Sequence, residues 1–196
     1  NNFVFVHLRP FSPEEAEALF GQMLAGTGVA FSQVEKDHIY SLAGTHPLLL
    51  QAAASLVFDA KLGRTRPVKD FAAIRAQFSD LVEHQFKDFW KWSLDREREI
   101  LLQLACCHEE ALTQLEAWAA ERENLLRRGL IALSEGGHYS IFSSVYWQWL
   151  IDNLYRLEEI HPPASPKVRH LQVQLKAHQR RLEILEEQKA RLGAQH

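Results

Sequence analysis

The sequence predicts a mainly α fold: a helical bundle, then three more helices closed by a β-hairpin, then a C-terminal helix. Three observations predict it. Apolar residues recur at helical spacing through most of the chain. Serine, proline and glycine mark helix starts and stops at regular intervals. Strand-like runs are confined to residues 3–8 and to two short segments on either side of Glu135-Gly136-Gly137.

Composition narrows the class. A hydrophobic content of 46% over 196 residues is enough for one core or two small ones. A net charge of -3 and a pI near 6.4 give no overall pull toward nucleic acid or an anionic membrane. The two cysteines, Cys106 and Cys107, are neighbours. Adjacent cysteines make a poor disulfide, so they read as buried thiols in a reducing, cytoplasmic setting. No apolar run approaches the roughly 18–20 residues of a membrane span, and no signal peptide opens the chain.

Taken in order, Phe3-Val4-Phe5-Val6-His7-Leu8 is apolar on both faces, like an inner strand of a sheet. Residues 1–9 are therefore expected to be the last strand of a preceding domain, and the chain a piece of a longer protein. Residues 10–93 read as a bundle of four helices. Ser12-Pro13-Glu14-Glu15 is a capping box with proline at the first helical position, opening a helix to about Leu24 that turns Ala16, Leu19, Phe20 and Met23 to one side. Ser32 caps a second helix, which Gly44 ends. Thr45 is placed to cap the third, and Pro47 fits its first turn, where a missing N–H costs nothing. From Leu48 to Phe58 that helix has almost no polar face and is expected to be buried on most sides. After a basic turn, residues 68–92 form a long helix carrying Phe71, Ile74, Phe78, Leu81, Val82, Phe86, Phe89 and Trp90.

Residues 94–160 form a second unit. A helix from Asp95 buries Ile100, Leu101, Leu104 and Ala105, a helix or turn covers 109–115, and a third helix runs from Trp118 to Arg128. Gly129 ends it. Leu130 to Leu133 and His138 to Phe142 flank the Glu135-Gly136-Gly137 turn as a hairpin. Three helices followed by a β-hairpin is the order of a winged helix. An aromatic-rich helix from Tyr146 to about Leu157 closes the unit. Residues 161–167 are a proline-rich linker. In 168–196 the residues Val168, Leu171, Leu175, His178, Leu182, Leu185, Lys189 and Leu192 follow three- and four-residue steps, a heptad-like helix.

Ten histidines prompt a search for metal ligands, but only Cys106, Cys107 and His108 cluster. Adjacent residues on a helix point in different directions, so neither a zinc site nor a Cys–His nucleophile pair is expected. Paired acids such as Glu14-Glu15 and Glu158-Glu159 suit helix ends and solvent.

The order of these features resembles the region that follows the nucleotide-binding core in STAND signalling ATPases, a branch of the AAA-type P-loop proteins. The residues that carry the resemblance are Leu8-Arg9-Pro10-Phe11-Ser12, the corner Gly44-Thr45-His46-Pro47-Leu48-Leu49-Leu50-Gln51, Leu126-Arg127-Arg128-Gly129-Leu130 and Tyr139-Ser140-Ile141-Phe142-Ser143. The stretch His170 to Gly193 is similar to a tail of bacterial multidomain proteins of this kind. The resemblance implies a helical lid and a winged helix, with His46 and Pro47 near the base of a nucleotide held by the preceding domain. Some relatives place a Met-His-Asp triplet after the hairpin, its histidine near the phosphates. The equivalent place here reads Ile141-Phe142-Ser143.

The implied function is that of a non-catalytic arm of a bacterial ATP-dependent switch, coupling nucleotide state to domain rearrangement and oligomerisation. None of the nine glycines begins a Gly-x-x-x-x-Gly-Lys-Ser/Thr loop, so no catalysis and no cofactor are expected of this chain itself. ATP or ADP with magnesium belongs to the presumed parent. The expected partners are the preceding nucleotide-binding domain and, through residues 168–196, a second copy or an effector. The alternative is a winged-helix DNA-binding transcriptional regulator. Against it, the candidate recognition helix, Glu116 to Arg128, holds three arginines and three glutamates, a net charge of zero, and the hairpin tip carries Glu135.

Overall fold

The computed structural model describes residues 9–63, 70–106, 117–134 and 136–160. It is mainly helical, with a small two-stranded antiparallel sheet. The elements are α1 (Pro13–Leu24), α2 (Gln33–Ala43), α3 (Pro47–Lys61), α4 (Phe71–Lys91), α5 (Asp95–Cys106), α6 (Ala119–Arg127), β1 (Ile131–Leu133), β2 (Tyr139–Ile141) and α7 (Ser144–Ile160). The strand-like run at 3–8, the helix or turn at 109–115, the linker and the heptad-like segment lie outside the described residues.

Local sequence sets the helix starts. Ser12 and Glu15 exchange both bonds of a capping box at α1, and Ser32 and Glu35 do the same at α2. Glu35 is buried as well, and the Lys61 ammonium at the end of α3 meets its carboxylate at 2.8 Å, tying α2 to α3. Asp70 caps α4 by accepting from the Ala73 N–H at 2.9 Å.

At α3 the cap falls one residue later than expected: His46, not Thr45, is the N-cap, and its side chain makes no capping bond. The cause is Pro47 at the first helical position. A residue before proline is driven to extended backbone, which is the conformation an N-cap needs.

Helical periodicity located most of the core. Ile74, Phe78, Val82, Phe86 and Trp90 of α4 are buried, and so are Leu49, Leu50, Ala53, Ala54 and Val57 of α3. Two residues depart from expectation. Leu81 is 60% exposed because Phe78, Val82 and Phe86 already fill the inward stripe, and Leu48 is 47% exposed on the first turn of α3. Conversely α5 is buried nearly all round, including Glu97 and Glu99.

A turn at Trp92–Leu94 separates α4 from α5, and one apolar core runs across it. α7 joins the two halves by packing against α2, α4 and α5. Its residues Tyr146 and Trp149 stack at 5.8 Å and meet Phe86 at 5.0 and 6.1 Å. Aromatic pairs of this kind add about 0.5–1.5 kcal/mol each beyond simple burial. The sheet pairs Ile131 with Ile141, Ala132 with Ser140 and Leu133 with Tyr139.

Candidate functional site at the Gly44–Pro47 corner

The corner between α2 and α3 is where the distant parts of the chain meet. Gly44 ends α2 with φ at +57°, a backbone that glycine accepts without strain, and its N–H donates to the Tyr40 carbonyl at 2.7 Å. The Thr45 carbonyl accepts from the Phe11 N–H at 2.9 Å, so the chain entering α1 is held to the corner. One residue earlier, Pro10 fills the space a side chain on Gly129 would need: a Cβ there would stand 2.6 Å from the proline Cγ. Gly129, at φ +68°, ends α6 before β1.

The far side of the corner meets the end of the hairpin. The His46 ring lies 5.1 Å from Phe89 of α4 and 6.1 Å from Phe142, the residue after β2. Phe89, Phe142 and Tyr146 pack edge or tilt against one another within 6.2 Å. Two serines then fasten α7 to α2. The Ser143 hydroxyl donates to the Leu42 carbonyl and accepts from the Tyr146 N–H at 3.1 Å, capping α7. The Ser144 hydroxyl donates to the Ser41 carbonyl at 2.8 Å and accepts from Arg75 at 2.7 Å.

The electrostatics follow from burial. Burial holds the His46 imidazole below its ordinary pKa against the opposing pull of its own backbone carbonyl. Its Nδ1 is buried and has no hydrogen-bond partner among the described residues. His38, tilted against Phe71 with ring centroids 4.3 Å apart, is lowered too, first by burial and then by the Arg75 charge. The Tyr146 phenol is driven up by complete burial, which outweighs the nearby Arg128 and Arg98 charges.

Below this seam lies a buried ion pair that sequence reasoning missed. The Glu97 carboxylate, 1% exposed, accepts from Arg128 at 2.9 Å, from the Leu94 N–H at 2.9 Å and from Asn124. Arg128 also reaches the Phe89 carbonyl at 3.3 Å, while Arg98 donates to the Trp90 and Lys91 carbonyls at 3.0 and 2.9 Å. Two cations thus close the C-terminus of α4, where unpaired carbonyls and the helix dipole favour positive charge.

Of the two residues singled out from sequence, both His46 and Pro47 sit at the corner as the cap and first residue of α3. Phe142, Ser143 and Ser144 complete the site. The sequence signal for the serines was present: a Ser-Ser pair directly before the apolar run of α7 is a helix-start signature. No group of three or more metal-ligating side chains occurs among the described residues, and no described helix is long and apolar enough to cross a membrane. No family model matches the chain, and no curated protein or solved structure matches it significantly.

Proposed function

We propose that this chain is the lid and winged-helix arm of a bacterial STAND-type ATPase switch, in which α1–α4 form the lid and α5, α6, the hairpin and α7 form the winged-helix half. The observation that carries the reading is the His46–Phe142 contact at 6.1 Å. The resemblance assigns nucleotide proximity to the His46–Pro47 corner, and the place where some relatives carry a Met-His-Asp triplet is here Ile141-Phe142-Ser143. The contact with Phe142 supports the reading in so far as it puts that place beside the corner, although this chain lacks the triplet's histidine.

In the proposed mechanism the arm transmits nucleotide state and performs no chemistry. A preceding P-loop domain binds ADP or ATP with magnesium, and in the ADP state the corner closes over the base, with His46 presenting its Nε2 edge. Exchange for ATP releases the arm and exposes an oligomerising surface. Such a switch needs each nucleotide to bind the two arrangements with different affinity, and a contact from the moving arm supplies that difference. The seam fits rigid transmission, because α7 is fastened to α2 by Ser143 and Ser144 and shares its core with α4.

The DNA-binding alternative loses support. Of the three arginines it would use, Arg128 is committed to buried Glu97, and Arg122 lies over the Tyr139 ring at 5.5 Å. Photolabelling of the P-loop-bearing protein with an azido-adenine nucleotide tests the proposal. Label on the peptide containing residues 45–48 is expected, and label confined to the P-loop domain contradicts it.

A further inference from the structure

We infer that the groove between α4 and α7 is a docking site for a basic amphipathic helix of a partner protein. The groove is open and holds about 400 Å³. Ala72, Ala76 and Ser79 make the α4 wall at helical spacing, and Val145 and Trp149 of α7 make a buried apolar base. Small residues on the α4 wall let a third helix come close. Ala72 and Glu83 stand eleven residues apart, roughly 16 Å or three helical turns. Both walls are helices, whose backbone groups bond within themselves. A strand laid between them would leave its own N–H and C=O groups unpaired, whereas a helix satisfies them internally.

The rim sets the charge of the occupant. Asp80, Glu83 and Asp152 line the groove against one cation, Arg75. Arg75 is already committed, donating to the Ser144 hydroxyl and carbonyl at 2.7 and 3.0 Å. Glu83 meets Lys87 at 2.8 Å, and Asp152 accepts from the neutral Gln148 at 2.8 Å. Asp80 makes no ion pair among the described residues. Two exposed carboxylates, one on each helix, thus stand over an apolar base with no counter-charge among the described residues. Lysine or arginine beside an apolar stripe is the complement of such a surface, and a polyanion is repelled by it. Trp149 adds a separate observation. It is 6% exposed, and its indole N–H has no acceptor among the described residues. A buried donor left alone costs stability, and an oxygen on a docked helix is the kind of group that takes it. This inference does not depend on the nucleotide reading.

Titration of the full chain with two synthetic peptides, followed through amide chemical shifts, tests it. One peptide is an amphipathic helix of about four turns, with leucine at helical spacing and lysine elsewhere. The other carries glutamate in place of lysine. The lysine peptide is expected to shift amides of residues 72–83 and 145–153 in a saturable way, and the glutamate peptide to leave them in place. Asp80→Lys with Asp152→Lys changes exposed side chains only, and unmoved amides in α3 verify that the fold is kept. In that variant the lysine peptide is expected to bind about tenfold more weakly, and the glutamate peptide to gain the groove. The inference is overturned by the absence of a saturable shift in the groove, by equal binding of the two peptides, or by binding that ignores the rim charges. Groove shifts that follow protein concentration alone also overturn it, assigning the surface to a second copy.

Discussion

A Cβ built on Gly44 lies 2.6 Å from the backbone carbonyl oxygen of Phe142. No real side chain approaches a carbonyl that closely, so the α2–α3 corner and the end of the hairpin meet only because residue 44 has no side chain. Gly44→Ala is therefore expected to cost about 2–4 kcal/mol, from the positive φ together with the displaced contact. In urea the midpoint should fall with little change in slope. An alanine variant as stable as the wild type would mean that the two elements do not dock as described.

The Glu97–Arg128 pair makes a second prediction. Removing Arg128 leaves the buried Glu97 carboxylate without its counter-ion, so Arg128→Met should cost about 3–5 kcal/mol, and Glu97→Leu, which leaves a cation that is a quarter exposed, should cost less. The double variant, apolar on both sides, should recover a good part of that loss. Unfolding of all four proteins gives the coupling energy, and simple additivity would show that the two residues do not depend on each other.

Acidification provides a third. His38 and His46 are both held below the ordinary value of 6.5 by burial. The fold thus prefers the neutral rings, and the unfolded chain takes up protons first. Their contribution is fully present above about pH 6.5 and is lost as pH falls through the folded values. The thermal midpoint should drop between pH 7.5 and 5.5, and His38→Phe with His46→Phe should flatten that slope. An equal slope in both proteins would assign the acid sensitivity to other groups.

What the sequence made legible was whatever depends on near neighbours. The capping box at Ser12–Glu15, the cap at Ser32, the positive φ at Gly44 and Pro47 at the start of α3 are decided within a few residues, and all four are present. The inward face of α4 was equally legible apart from Leu81, since periodicity marks a stripe without fixing its width. Partners far along the chain were hidden. His46 looks like a free side chain at a corner until Phe142, brought by the hairpin, packs against it. Glu97 looks like one of several solvent-facing charges near the start of α5, and its burial depends on Arg128 and Asn124. Arg128 was counted among the surface cations of a recognition helix for the same reason.

The packing of His46 also determines how the proposed nucleotide contact is best tested. His46→Ala would open a void between Phe89 and Phe142, mixing a packing defect with any lost contact. His46→Phe keeps a ring in the seam between Phe89 and Phe142 and so avoids that void. The decisive measurement is ADP affinity, by calorimetric titration, of the chain joined to the P-loop domain that the proposal places before it, with and without His46→Phe. The account predicts that the variant unfolds at or above the wild-type temperature while ADP binding weakens by about tenfold, the loss of roughly one good polar contact. Wild-type ADP affinity in a folded His46→Phe protein would contradict it, leaving the Gly44–Pro47 corner as a helix cap and a packing seam only.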